Sequence, residues 1–239
     1  MKKMLVTSFV MLMVLAGVTS AAVLRVDFNG QYGSEPDNAV MTYDGAGLLG
    51  TGTFWNGAKV WDPAGGEWSY NQITEVYPGP TYLLGDGVTD AQITITLGHV
   101  TYGDHPSDLN NKLFVDYICS DSRFTTDGLS YIDITVSGLI PGNSYTLAGY
   151  GSHTGTLGVG GIWTANGVGP MDLSSDVADS GILENVIADI NGVIAIHVDH
   201  DTSFPATTVV NGLELEVVPE PLTIGLLSLG GLALLRRRR

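Results

Sequence analysis

Tyr131-Ile132-Asp133-Ile134-Thr135-Val136-Ser137-Gly138-Leu139-Ile140-Pro141-Gly142-Asn143 holds the pattern that decides the fold. Ile132, Ile134 and Val136 alternate with Asp133 and Thr135, and a period of two puts the apolar residues on one face of a strand. Residues 137–143 then supply Pro-Gly turn chemistry, which leads into a second strand near Tyr145. The same alternation places Leu24, Val26 and Phe28 against Arg25 and Asp27, and Ile93, Ile95 and Leu97 against Thr94 and Thr96. It recurs with Ile194, Ile196 and Val198 against Ala195 and His197, and with Leu213, Leu215 and Val217 against Glu214 and Glu216. These read as half-buried strands. Weaker strands are expected at 58–61, 113–118, 145–149 and 182–188. Asn191-Gly192 between two apolar runs reads as a tight hairpin. Glycine makes up 32 of 239 residues and gathers in loops such as 45–52 and 149–169. No long segment of period 3.6, internal repeat or dividing linker interrupts this pattern, so residues 23–218 are expected to form one antiparallel β-sandwich or jelly roll.

Both ends differ from this body. Lys2-Lys3, the apolar run 4–18 and the small residues Thr19-Ser20-Ala21-Ala22 have the order of a secretory signal peptide, cleaved after Ala21 or Ala22. No cysteine follows the apolar run, which argues against a lipoprotein anchor. At the other end, Pro219-Glu220-Pro221 precedes the uncharged run Leu222–Leu235, and Arg236, Arg237, Arg238 and Arg239 follow. Fourteen helical residues rise about 21 Å, short of a hydrocarbon core of about 30 Å. Val217, Val218 and the arginine stems can extend the reach. The four arginines belong in water or against anionic headgroups on the cytoplasmic side. The expected organisation is a signal helix over 1–22, the β domain over 23–218 and a sorting and anchor segment over 219–239, with its hydrophobic helix after the prolines.

That tail resembles the PEP-CTERM sorting signal of exported bacterial proteins, carried by Val218-Pro219-Glu220-Pro221, the Leu/Gly-rich run with Gly230-Gly231, and Arg236–Arg239. The resemblance implies processing near the motif by a membrane exosortase, an envelope of Gram-negative type, and association with extracellular polymer. Two prolines suit such a signal physically, because they keep the backbone extended just before the anchor. Segments of the body also look like exported PEP-CTERM β-sandwiches: Val26-Asp27-Phe28-Asn29-Gly30, Trp55-Asn56, Leu84-Gly85-Asp86-Gly87, Ser137-Gly138-Leu139 and Asn211-Gly212-Leu213-Glu214-Leu215. They imply a jelly roll akin to the galactose-binding and malectin-like folds.

The chain carries a formal net charge of −15. Six of its ten basic residues lie in the two ends, which leaves Arg25, Lys59, Lys112 and Arg123 in the body. Nucleic acid is excluded as a partner, since phosphate binding needs a basic surface. Acidity suits solubility, divalent cations or a neutral polysaccharide, and plain solubility is preferred. Cys119 cannot form an internal disulfide and reads as a buried small hydrophobe.

Three groups of residues carry candidate chemistry. His197, Asp199, His200 and Asp201 offer metal donors, though the plainer reading is a polar strand end and turn, and no metal is assigned. Asp104, His105, Asp108 and Asp116 offer oxygens for a structural calcium without the EF-hand spacing. Trp55, Trp61, Trp68, Tyr70, Tyr77 and Tyr82 would stack on sugar rings if exposed, and would fill a sandwich core if not. Gly149-Tyr150-Gly151-Ser152-His153 fails the G-x-S-x-G pattern at Tyr150. No H-E-x-x-H, P-loop or C-x-x-C occurs. The expectation is a non-enzymatic, exported envelope or matrix protein that needs no cofactor and takes carbohydrate as its candidate ligand. Before processing it would sit in the inner membrane, and afterwards at the cell surface or outside. The alternative is a secreted hydrolase of polysaccharide. The mature chain is expected to begin near Val23. N-terminal sequencing of the exported protein checks this, and an intact Met1 would overturn it.

Overall fold

The computed structural model describes residues 23–29, 40–42, 47–50, 54–59, 82–84, 90–91, 93–100, 102–103, 113, 117–123, 125, 127–151, 160–173, 179–200 and 207–218. The signal segment 1–22, the tail 219–239, Trp61, Trp68, Tyr70, Tyr77, Asp104, His105, Asp108, Asp116, Ser152, His153 and Asp201 lie outside them. No helix among the described residues is long and apolar enough to cross a membrane.

The described residues form an all-β fold. Its strands in chain order are β1 (Val23–Asn29), β2 (Val40–Thr42), β3 (Phe54–Lys59), β4 (Tyr82–Leu83), β5 (Asp90–Ala91), β6 (Thr94–Gly98), β7 (Tyr102–Gly103) and β8 (Ile118–Asp121). They continue with β9 (Tyr131–Ser137), β10 (Ser144–Gly151), β11 (Ile162–Ala165), β12 (Val168–Asp172), β13 (Asp179–Ile187), β14 (Ile194–Asp199), β15 (Thr207–Val210) and β16 (Gly212–Val217). Two sheets dominate, a six-stranded one in the order β13-β10-β16-β1-β3-β2 and a five-stranded one in the order β12-β11-β14-β9-β6. β15-β8-β7 forms a third sheet, and β4 pairs with β5. Pairing is antiparallel except between β1 and β3, which run parallel.

Alternation places the core as expected. Ile132, Ile134 and Val136 of β9 and Ile194, Ile196 and Val198 of β14 are fully buried. They share one cluster with Leu24, Val26 and Phe28 of β1 and Leu213 and Leu215 of β16, so the two large sheets supply a common core. Each such side chain removed from water contributes roughly 1.5–3 kcal/mol. Trp163 of β11 reaches across that core to β10. A Cβ on Gly149 would lie 2.9 Å from the Trp163 ring, and one on Gly181, its cross-strand partner, 2.7 Å from the Met171 sulfur. Two bare backbones therefore let the large side chains of one sheet close on the other.

Three expectations change. Residues 137–143 and 188–193 are tight turns, but each links strands of different sheets, β9 to β10 and β13 to β14. Asn191-Gly192 therefore makes no hairpin. Gly192 takes the left-handed conformation (φ 71°) and its N–H bonds to Asp189 O at 3.0 Å, closing a corner of the fold. A two-residue hairpin stands instead at Asn166-Gly167 between β11 and β12, where both residues have positive φ (44° and 82°), as the I′ turn requires. Leu113 and Tyr117 lie outside the strands, and of the run expected as a strand over 113–118 the described residues enter one at Ile118, where β8 begins, with Cys119 fully buried next to it.

The third change is the largest. Arg25, Asp27 and Glu214 alternate with core residues, yet all are buried rather than solvated. They lie on the opposite face of the six-stranded sheet, which carries its own apolar cluster of Val23, Leu49, Trp55, Leu113, Ala148 and Tyr150. Arg25 and Glu214 sit directly opposite each other across the β1–β16 pair, and Arg25 Nε donates to Glu214 Oε1 at 2.6 Å. Glu214 Oε2 accepts from Tyr150 Oη at 2.6 Å, Leu48 N at 2.7 Å and Leu49 N at 3.0 Å. The Arg25 guanidinium also donates to Leu49 O. Burial first, and then the Glu214 charge, push the Tyr150 phenol well above its ordinary pKa, so it stays protonated and donates. Gly47 lets the 47–50 loop settle on the carboxylate: its φ is 145°, and a Cβ there would lie 2.8 Å from Glu214 Oε1.

Glu214→Ala would strip the buried Arg25 guanidinium of its carboxylate and Tyr150 Oη and Leu49 N of their acceptor, so it is expected to lower stability by about 3–5 kcal/mol. The double change Arg25→Met/Glu214→Leu removes both charges and is expected to recover most of that loss. Urea denaturation of the two variants measures the difference, and equal losses would deny the ion pair its role.

Candidate functional site

The outward face of the five-stranded sheet gathers the exposed chemistry. In the β9–β14 register Tyr131 faces Asp199 and Asp133 faces His197. The inward residues of these strands are the core isoleucines and valines, so the pleat sends Tyr131, Asp133, His197 and Asp199 outward. His197 Nδ1 bonds to Asp133 Oδ1 at 2.7 Å, and His200 Nδ1 meets Asp199 Oδ1 at 3.1 Å.

His99 completes the group from the end of β6. Its backbone is left-handed (φ 60°), which costs roughly 1–2 kcal/mol for a residue with a Cβ. Contacts on both sides of the ring offset that cost. Nδ1 is 3.2 Å from Ser120 Oγ, Nε2 is 3.1 Å from Asp127 Oδ1, and the ring stacks on Tyr131 with centroids 3.9 Å apart and planes 13° apart. The far side of Tyr131 meets His197 at 5.3 Å and a tilt of 38°. The result is a ladder of three rings, His99, Tyr131 and His197, with a carboxylate on each imidazole.

Electrostatics follow from these contacts. The backbone N–H of Leu129, and then, against a small desolvation cost, His99 and Thr125, hold the Asp127 carboxyl below its ordinary range. Partial burial, then the charges of Asp127 and Asp133, raise the Tyr131 phenol. Beside the ladder, burial alone would raise Asp121, but hydrogen bonds from the Arg123 side chain and backbone outweigh it and leave its carboxyl lowered. Chemically the face offers an aromatic plane, carboxylate acceptors and imidazole nitrogens side by side, the donor and acceptor mixture that polar hydroxylated ligands engage.

The structure brings His197, Asp199 and His200 together near one strand end, as the spacing implied. The carboxylates already pair with imidazoles, and among the described residues no group of three or more His, Cys, Asp or Glu is arranged to hold a metal ion. The aromatic platform is corrected at two positions. Trp55 is fully buried and meets Tyr150 edge-on at 5.6 Å. Tyr82 is buried in the main core, where desolvation pushes its phenol up to about 12. Neither can stack on a sugar. His99, Tyr131 and Asp133 were missed as site residues, because their partners lie on other strands and only the register joins them.

No protein-family model matches the chain, and no curated protein does. Among solved structures the chain is similar to a plant receptor-like kinase, ANX2, with a TM-score of 0.49 and 10% identity over 84% of this chain and 49% of that one. It is also similar to the ANX2 ectodomain from Arabidopsis thaliana (TM-score 0.48, 9% identity, 84% and 50% coverage). The ANX1 ectodomain from the same plant compares at a TM-score of 0.42 and 12% identity, over 84% and 49%. The chain thus spans about half the length of the structures it matches.

Asp121 and Asp127 have folded-state values below their unfolded ones. Their contribution is therefore complete above the unfolded carboxylate range, about 3.9, and is lost as pH falls through the lower folded values. Urea midpoints are expected to hold steady from neutral pH to about 5 and to fall below about 4. A double Asp121→Asn/Asp127→Asn variant should show a shallower acid decline, and an unchanged slope would reject these two groups as its source.

Proposed function

We propose that this chain is an exported, non-enzymatic envelope protein, held and sorted by its C-terminal segment, whose β domain binds extracellular carbohydrate. The observation that carries the reading is the fixed order at the tail: Pro219-Glu220-Pro221, the uncharged run Leu222–Leu235, then Arg236–Arg239. The signal-peptide pattern ending at Ala21-Ala22 supports export. Moving each arginine through hydrocarbon costs about 2.5–3.5 kcal/mol even on the lenient insertion scale. The tail therefore pauses in the bilayer with its motif outside, within reach of an exosortase-like enzyme. A jelly roll of the galactose-binding kind is the finer fold that suits such a body. The ladder of His99, Tyr131 and His197 with its carboxylates is the face assigned to the sugar.

Two measurements separate the parts of this reading. In cells carrying the processing enzyme, Glu220→Ala should leave membrane insertion intact and abolish maturation, read from the mass and membrane fraction of the protein. Maturation and release as in wild type would reduce the tail to a plain anchor. On a glycan array, Tyr131→Ala is expected to lose at least tenfold in signal on whichever glycan the wild type takes, about 1.4 kcal/mol. Undiminished binding by that variant would remove the ladder as the sugar face.

A further inference from the structure

The two corners of the fold lie at the same end of the domain. Gly142 N bonds to Ala188 O and Leu139 N to Gly192 O, both at 3.0 Å, so the 138–143 and 188–193 turns are stitched side by side. Asn166 joins them, its Nδ2 donating to Ile187 O at 2.8 Å and Val193 O at 3.0 Å. This pole presents Ile140, Ile187 and Ile190 to solvent, 59%, 56% and 90% exposed. A lone exposed isoleucine needs no explanation, but three large ones gathered where β13 ends and two turns adjoin, on a strongly acidic chain, do.

Both ends of the described domain leave from this same pole. Val218 N bonds to Ser144 O at 2.9 Å, and Val23 pairs with Glu216. Only Pro219, Glu220 and Pro221 separate Val218 from the uncharged run that begins at Leu222. Four Cα–Cα links span at most about 15 Å, so that run begins close to the isoleucines.

We propose that this pole is a membrane-docking surface, with Ile140, Ile187 and Ile190 seated at the headgroup–acyl boundary of the bilayer that the tail enters. The proposal rests on reading the tail as an anchor. Apolar side chains at such a boundary reach about 5–10 Å inward, which suits the tips of two turns. The Asp189 carboxylate beside them is occupied by Asn191 N at 2.8 Å and Val193 N at 2.9 Å. Because the chain is acidic, the surface fits neutral lipid better than an anionic leaflet. Docking points the ring ladder the other way. Tyr131 and Ser137 are the two ends of β9, and the steps between them along the strand cover about 20 Å.

The test uses the full chain reconstituted in phosphatidylcholine vesicles, with a fluorophore on Ile190→Cys or on Leu129→Cys. Leu129 is also an exposed apolar residue, 53% exposed, but lies at the far pole beside Tyr131. Cys119 is buried and does not compete for label. Flotation reports the tail, and quenching by nitroxide-bearing lipid reports the pole. Both labelled proteins should float, with position 190 quenched severalfold more than position 129. Adding Ile140→Ser and Ile187→Ser to the 190 probe should bring its quenching toward that of 129 without loss of flotation. Flotation with 190 unquenched, or with both positions quenched alike, would overturn the docking surface and leave the anchor standing. Failure to float would overturn the anchor, and the docking surface with it.

Discussion

The buried ion pair between Arg25 and Glu214 constrains everything around it. Neither charge reaches water, and a charge in that position is tolerable only when its hydrogen-bonding capacity is filled. Filling it recruits four separate parts of the chain: β1 and β16 for the pair itself, Tyr150 of β10, and the backbone of the 47–50 loop. The pair is weak as a source of net stability, because desolvation takes back most of the attraction. Its effect lies in alignment. Arg25 and Glu214 are exact cross-strand partners, and a slip of one residue would turn Glu214 into the main core. The pair therefore holds the register of the centre of the large sheet.

Around that centre the molecule is polarised along its strands. One pole is made of turns that cross between sheets, carries three exposed isoleucines and holds Val23 and Val218, the two ends of the described domain. The other carries His99, Tyr131, Asp199 and His200. The same pleat that sends Ile132, Ile134 and Ile196 inward sends Tyr131, Asp133 and His197 outward, so sheet register sets the strand part of the site, and His99, Asp127 and His200 join it from segments beside the strands.

How much of this the chain reveals before folding depends on which physical signal is local. Period-two alternation is local, and β1, β6, β9, β14 and β16 were legible from it. Turn chemistry is local too, and residues 138–143 and 189–192 do turn; which strands they join is a tertiary matter, and both join different sheets. The burial of Glu214 was illegible, because Glu214 in Leu-Glu-Leu looks like the wet side of a half-covered strand. Only the arrival of residues 47–50, Trp55 and Leu113 from distant positions makes that side dry. Trp55 and Tyr82 invited a sugar-binding reading by composition alone, and burial cancels it. At the candidate site His197, Asp199 and His200 stood out by adjacency, whereas Asp133 joins them through strand pairing, and His99 and Asp127 through ring stacking and a hydrogen bond between distant segments. The one local sign overlooked was Asn166-Gly167, an unambiguous hairpin pair.

The position of β16 has a consequence for the order of events when the protein is made. It is the last strand among the described residues, yet it lies between β10 and β1, inside the six-stranded sheet. A polypeptide appearing amino end first, whether from a ribosome or through a membrane pore, must keep β1 and β10 apart until the final strand arrives. Until then Arg25 lacks Glu214 and the core lacks Leu213 and Leu215. Contacts between the first and last strands have the longest sequence separation the domain contains, and such closures are slow. The domain therefore completes itself only when β16 has emerged, so the last step of folding falls just before the uncharged run Leu222–Leu235 follows.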